Sequence, residues 1–140
     1  MKSILEYIEE HKLIIVKWTG LWDIEEYKQN VDSFIKRAEG FDAQNIIHDI
    51  TGLDFEMNYK HLTQLVNIRN DKIKLAFKVV YITSKPIHVI FSELYSDALP
   101  NKYSHMYCSS QRKALDLLSL NMSEKELKDR FIALEEEQKI

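Results

Sequence analysis

The 140-residue chain is 45% hydrophobic and 29% charged, with three Gly, two Pro and a formal net charge of −3. Such a composition belongs to one folded domain that buries roughly two-thirds of the surface its extended chain exposes, and not to a disordered segment. The slight acidity supplies no drive toward nucleic acid or anionic membranes, and the lone Cys108 excludes an intrachain disulfide and any paired-cysteine metal or redox motif.

Acidic residues in the first ten positions interrupt any signal-peptide core, and no stretch approaches the ~20 apolar residues of a membrane span. A cytoplasmic location without a transmembrane segment is therefore the default expectation. Leu5 to Ile8 and Lys12 to Trp18 are apolar runs around Glu9-Glu10-His11, the pattern of a hairpin. Leu13-Ile14-Ile15-Val16 is apolar at every position, as in a strand covered on both faces. Thr19-Gly20 is predicted to end that strand. Asp23, with Glu26 three residues on, opens a helix whose inner face is Ile24, Tyr27, Val31, Phe34, Ile35 and Ala38, closing near Gly40.

Ala43 to Ile50 is predicted as the next strand, ended by Thr51-Gly52, and Asn58 as the cap of a helix with Leu62, Leu65 and Val66 inward. Leu75 to Thr83 reads as a third long strand. Ser84 as cap and Pro86 in the first turn then start a helix carrying Ile87, Ile90, Phe91, Leu94 and Ala98, which stops at Pro100-Asn101. Tyr103 to Cys108 is a short final strand, which makes Cys108 a packing residue rather than a reactive thiol. Ser109 or Ser110 caps a helix with Ala114, Leu117 and Leu118 inward. Ser123 and Glu126 form a capping box for a terminal helix with the stripe Leu127, Phe131 and Leu134 and a charged outer face. That helix should cover a sheet edge or join a dimer.

The order β-β-α-β-α-β-α-β-α-α defines an α/β fold. It predicts a mixed sheet of about five strands, an N-terminal hairpin followed by right-handed parallel crossovers, packed by helices. No repeat, linker or low-complexity segment divides the chain.

With Gly20 after Val16-Lys17-Trp18-Thr19, the segment His48-Asp49-Ile50-Thr51-Gly52-Leu53-Asp54-Phe55, and Lys113-Ala114-Leu115-Asp116-Leu117-Leu118, this order resembles the anti-sigma-factor antagonist (STAS) fold. The likeness is to its SpoIIAA-like branch, sometimes grouped with lipid-binding SEC14-type domains. It spans residues 1–120 and leaves 121–140 as an added helix on one STAS-like domain. The resemblance implies a non-enzymatic interaction or regulatory module with a protein partner or a second copy of itself. The alternative it implies is a small apolar ligand or lipid held between sheet and helices. In regulatory relatives a phosphorylatable Ser follows an Asp at the start of the helix after the third strand. Here that stretch is Glu56-Met57-Asn58-Tyr59-Lys60, with no hydroxyl of Ser or Thr until Thr63, so the phospho-switch is expected to be absent.

The candidate binding surface is Gly20, Trp22, Asp49, Thr51, Asn58, Tyr59 and Ser84, at the carboxyl ends of strands where α/β folds place their sites. Asp49 is open to two readings: a ligand or partner contact, or an acceptor for the Thr51-Gly52 turn. His48 precedes it and points to the opposite sheet face, so the two form no catalytic dyad. The histidines lack metal-ligand spacing, and the glycines match no phosphate-binding loop. Asp54 and Glu56 read as a solvated acidic loop pair. No catalytic residue, metal or cofactor is expected. An apolar pocket, if one exists, should draw on Trp18, Trp22, Phe55, Phe91 and Tyr95.

Overall fold

The computed structural model describes residues 1–54, 58–73, 77–100 and 104–137, without the side chain of Tyr59. The apolar runs at the start form the expected hairpin of β1 (Lys2–Ile8) and β2 (Leu13–Leu21). One 3₁₀ turn over Glu9–His11 joins them, closed by Lys12 in the left-handed region at φ 47°. There follow α1 (Ile24–Ala38), β3 (Asn45–Asp54), α2 (Tyr59–Lys72), β4 (Lys78–Ile82) and α3 (Pro86–Ala98). The chain then runs through β5 (Ser104–Cys108), α4 (Gln111–Leu117) and α5 (Glu124–Glu137).

The five strands lie in sequence order, β1 antiparallel to β2 and every later pair parallel. Period-two alternation divides the apolar runs between the two sheet faces. Leu13, Ile15, Ile47, Val80 and Ile82 pack against Ala114, Leu115, Leu118, Leu127, Phe131 and Leu134 of α4 and α5. Ile14, Val16, Trp18, Ile46 and Val79 face the other way, onto α1, and Leu65, Phe91 and Tyr95 extend that layer beneath α2 and α3. The three crossover helices therefore share one face, as crossovers of one hand require. The all-apolar run Leu13–Val16 is explained: both its faces are covered.

The caps follow the sequence closely. Asp23 Oδ1 accepts from Glu26 N at 2.9 Å, Ser110 Oγ from Lys113 N at 3.1 Å and Ser123 Oγ from Glu126 N at 3.0 Å. Asn58 Oδ1 accepts from Lys60 N at 2.8 Å.

Several boundaries differ from the sequence reading. β2 does not break at Thr19-Gly20 but runs to Leu21, with Gly20 at φ 96°, where a Cβ would come within 3.2 Å of Met1 Cα. β3 starts at Asn45 and passes through Thr51-Gly52 to Asp54, because the register slips at that point instead of ending. The N-cap of α3 is Lys85, whose side chain makes no cap bond, with Pro86 next and Ser84 exposed one residue outside. β4 and β5 are described from Lys78 and Ser104. The predicted strand starts at Leu75 and Tyr103 lie outside the described residues.

α5 lies across the hairpin, with Leu127, Phe131 and Leu134 buried and Arg130 Nη1 2.9 Å from Glu6 Oε1 of β1. Its packing is with a sheet face. We expect Phe131→Ala to cost about 3–5 kcal/mol in chemical denaturation. Ile132→Ala, at a position 43% exposed, should stay within about 0.5 kcal/mol.

Candidate functional site

The two sheet faces differ in how completely they are filled. On the side of α1, α2 and α3 a cavity of about 320 Å³ remains. Its floor is Val16 and Trp18 of β2, Ile46, His48, Ile50 and Leu53 of β3, Val79 and Tyr81 of β4 and His105 of β5. Its roof comes from Tyr27, Val31 and Phe34 of α1, Leu65 of α2, and Phe91 and Tyr95 of α3. Ser33 and Arg37, exposed on α1, and Ser3 of β1 complete one end, so the cavity reaches solvent between the edge strand and α1.

Polar side chains on the floor are tied into a row that crosses the sheet. Trp18 Nε1 donates to His48 Nδ1 at 3.0 Å. The His48 ring stacks on Tyr81 with centroids 5.1 Å apart and planes 13° from parallel. Tyr81 Oη lies 3.4 Å from His105 Nδ1, and Arg69 Nε donates to His105 Nε2 at 3.2 Å. Arg69, 3% exposed, also donates from Nη1 to the Ile73 carbonyl. Tyr95 meets the His105 ring edge to face at 5.4 Å and hydrogen-bonds Tyr81.

Burial dominates the proton chemistry here. It pushes His48 down to about 3, with the positive charges of His105 and Arg69 acting in the same direction. Burial, then Arg69, pushes His105 down to about 4. Tyr27 is raised to about 12 by burial, against the opposing pull of Arg69, and burial raises Tyr81 and Tyr95 as well. At neutral pH the row consists of neutral rings beside one guanidinium. His48, Tyr27 and Tyr81 nevertheless keep part of their surface accessible, and at this depth that surface is cavity wall.

The opposite sheet face carries Asp49, 7% exposed. Asp49 Oδ1 accepts from the Thr51 amide at 2.9 Å and its hydroxyl at 2.6 Å, and Lys17 Nζ reaches Asp49 Oδ2 at 3.0 Å and Thr51 Oγ1 at 3.1 Å. Glu135 of α5 stands 3.8 Å from the same ammonium. The register moves from Lys17↔Asp49 to Thr19↔Gly52, so Ile50 and Thr51 together oppose Trp18 in a β-bulge. Asp49 supplies the acceptor that the bulged Thr51 amide loses from the ladder. The bulge also shifts the alternation, so that His48, Ile50 and Leu53 all line the cavity. Gly52 follows where a Cβ would come within 3.1 Å of Trp18 O and Thr19 Cγ2.

Gly20 lies near the end of β2 and Trp22, Asn58 and Ser84 just beyond the ends of β2, β3 and β4, while Asp49 and the hydroxyl of Thr51 turn to the α4–α5 side. Among the seven sequence candidates, Trp22 lines the cavity, against Tyr27 at 5.0 Å and His61 at 5.9 Å. The side chain of Tyr59 lies outside the described residues. Trp18, Phe91 and Tyr95 of the apolar set meet Trp22 around the cavity, and Phe55 is outside the described residues, as is Glu56. Asp54 sits 3.9 Å from Lys85 Nζ. Cys108 is half-buried, its thiol raised by burial, with Sγ 3.3 Å from Ser110 O.

Sequence reasoning missed His105, Tyr81 and Arg69. Tyr81 comes beside His48 by strand register, His105 lies diagonally from Tyr81 on the next strand, and Arg69 reaches His105 from α2, so the row appears only once strand pairing and helix packing are known. It also missed Glu10, His11 and Glu126, whose ligand-type atoms lie within 4.8 Å of one another at the surface. Surface carboxylate groups of this kind commonly occur without an ion. No helix among the described residues is long and apolar enough to cross a membrane.

The chain matches no protein-family model and no curated protein sequence. By structure it is similar to a variant of RsbS from Moorella thermoacetica, with TM-score 0.58 and 16% identity over 85% of this chain and 96% of the other. It is likewise similar to an uncharacterised DUF3478-family protein with a SpoIIAA-like fold from Shewanella loihica PV-4. That match has TM-score 0.59 and 19% identity over 84% of this chain and 92% of the other. The five-strand sheet with its antiparallel β1 is a STAS-like, SpoIIAA-like α/β fold.

The histidine pKa values give a signed pH dependence. Both folded values lie below the ordinary 6.5, so the unfolded chain takes up protons that the folded chain refuses. Their contribution to stability is complete above pH 6.5 and is lost as pH falls toward 4 and 3. Between pH 7 and 5, His48→Phe should lose less stability than wild type by about 2 kcal/mol, read from denaturation midpoints at each pH.

Proposed function

We propose that this STAS-like domain is a non-catalytic binding module whose cavity beneath α1, α2 and α3 takes a small, mostly apolar ligand. The observation that carries the reading is the cavity itself. Its volume of about 320 Å³ falls at the lower end of the roughly 300–1,000 Å³ of ligand pockets. Its walls are aromatic and aliphatic, with a few convergent polar atoms, the composition such pockets share. A close-packed interior holds few spaces larger than a water molecule, so a solvent-connected space of this size with mostly apolar walls supports a bound ligand.

Binding is favoured over chemistry by what surrounds the cavity. Among the described residues no carboxylate lines it, and Asp49 is on the opposite sheet face, held by Lys17 and Thr51. His48 and His105 are kept neutral through the physiological range, and hydrogen bonds from Trp18 and Arg69 occupy one nitrogen of each ring.

The environment-sensitive dye 6-propionyl-2-(dimethylamino)naphthalene should bind the wild-type protein saturably at one site with blue-shifted emission. Val31→Phe, which projects extra rings into the space from α1, should weaken binding at least about tenfold without lowering the melting temperature, since it fills a void instead of overpacking a full core. A folded wild-type protein that shows no saturable binding, by dye or as co-purifying ligand in native mass spectrometry, would overturn the reading.

A second reading, docking of a protein partner or a second copy at the carboxyl ends of the strands, is favoured by exposed apolar side chains at that end. Leu21 is 70% exposed, Ile90 48% and Ile87 37%. Leu21 closes β2 and follows Gly20, and Ile87 and Ile90 stand at the start of α3 just after Ser84; exposure of this kind marks interaction surfaces. The double variant Leu21→Asp, Ile90→Asp should abolish association seen by light scattering or pull-down while leaving dye binding intact. A wild-type protein that stays an inert monomer in both assays counts against this reading.

A further inference from the structure

We infer that the cavity ligand is a largely apolar molecule bearing one uncharged hydrogen-bond acceptor, a ketone- or amide-type carbonyl, received by the Nε2–H of His48. This rests on the ligand-binding reading above and specifies its chemistry.

The tautomer follows from the neighbour. An indole nitrogen can only donate, and Trp18 Nε1 points at His48 Nδ1 from 3.0 Å. Nδ1 is therefore the acceptor, and the single proton of the neutral ring sits on Nε2. Burial, His105 and Arg69 all oppose a second proton. No acceptor among the described residues takes the Nε2 proton, and the nitrogen is not sealed off, since the ring lines the cavity. The floor thus presents this N–H donor among mostly apolar walls, with Asn30, Ser92 and the exposed Arg37 elsewhere on the lining. A donor left unsatisfied there is costly, and a ligand atom with a lone pair removes that cost.

The rest of the site selects among acceptors. Arg69 does not line the cavity; it stands behind His105 and makes this end of the space positive. A ligand cation is disfavoured. Arg37 stands at the exposed end of the lining, so a carboxylate at His48 would have to shed its hydration for a neutral donor, which costs far more than desolvating a carbonyl. The His48, Tyr81 and His105 rings stack on one another along the row and Trp18 on Tyr27, so these faces are already partnered within the protein.

Calorimetric titration with two probes of one shape separates the possibilities: 2-acetylnaphthalene, which carries the carbonyl, and 2-isopropylnaphthalene, which does not. The ketone should bind about tenfold more tightly, the size of one net neutral hydrogen bond. In His48→Phe the two probes should bind equally, at the level of the hydrocarbon. That variant also removes the acceptor of Trp18 Nε1 and can fail to fold, so a second measurement uses the wild-type protein. In long-range ¹H–¹⁵N spectra His48 should be the Nε2–H tautomer, and that proton should move downfield and exchange more slowly with the ketone but not with the hydrocarbon. Equal affinities with an unmoved Nε2–H, or an Nδ1–H tautomer in the free protein, would overturn the inference while leaving the cavity a binding site. Failure of both probes to bind the folded protein would overturn the ligand-binding reading and this inference with it.

Discussion

The bulge in β3, held by the Asp49 carboxylate, is the constraint on which the rest of the site depends. One inserted residue moves the partner of Thr19 to Gly52 and leaves Ile50 and Thr51 opposite Trp18. Had the ladder continued without it, Leu53 would point to the α4–α5 face and the cavity would lose its far wall. An amide removed from its ladder partner must find another, and Asp49 provides it at 2.9 Å. The charge this places in the interior is matched by Lys17 at 3.0 Å. A buried pair of this kind earns little net stability against a well-packed apolar substitute, but breaking it leaves a lone charge. Its contribution is to fix a register.

The register in turn sets the chemistry of the opposite face. Trp18 reaches diagonally to His48 across the bulged pair, and that one donated proton selects the tautomer of the imidazole. Tyr81, in register with His48, gives the ring a flat neighbour, and His105 continues the row to Arg69. Polar atoms thus share hydrogen bonds beneath an apolar roof. Such a network is costly if half satisfied and specific if complete. The sheet is asymmetric for a simple reason: α4 and α5 bring aliphatic side chains and Phe131 down onto one face until it is full, whereas the other face carries large rings that meet edge and face and leave space between them.

Much of the fold was legible in the residues. The element order, the two-sided burial of Leu13–Val16 and the caps at Asp23, Asn58 and Ser123 are local: each depends on side-chain period or on an oxygen within four residues of the amide it meets. The misplaced strand ends are instructive because they have one cause. Thr-Gly pairs at 19–20 and 51–52 are turn chemistry by composition, but in the folded chain both lie within paired strands, one at a left-handed Gly20 beside Met1 and the other just past the bulge. Local preference for a turn yielded to strand pairing. Ser84 was displaced as a cap by Lys85 because Pro86 fixes where the first turn begins.

The sequence by itself determined the class of architecture, the opposite facing of His48 and Asp49, and the aromatic supply from which a pocket could be built, since period and capping act over a few residues. Only the tertiary structure decided that Asp49 is a bulge clamp, that Trp18 donates to His48, that Arg69 stands behind His105, and that the space among these rings stays open. Those facts join residues 30 to 36 positions apart. They are fixed by strand register and helix packing, which no local pattern in the chain encodes.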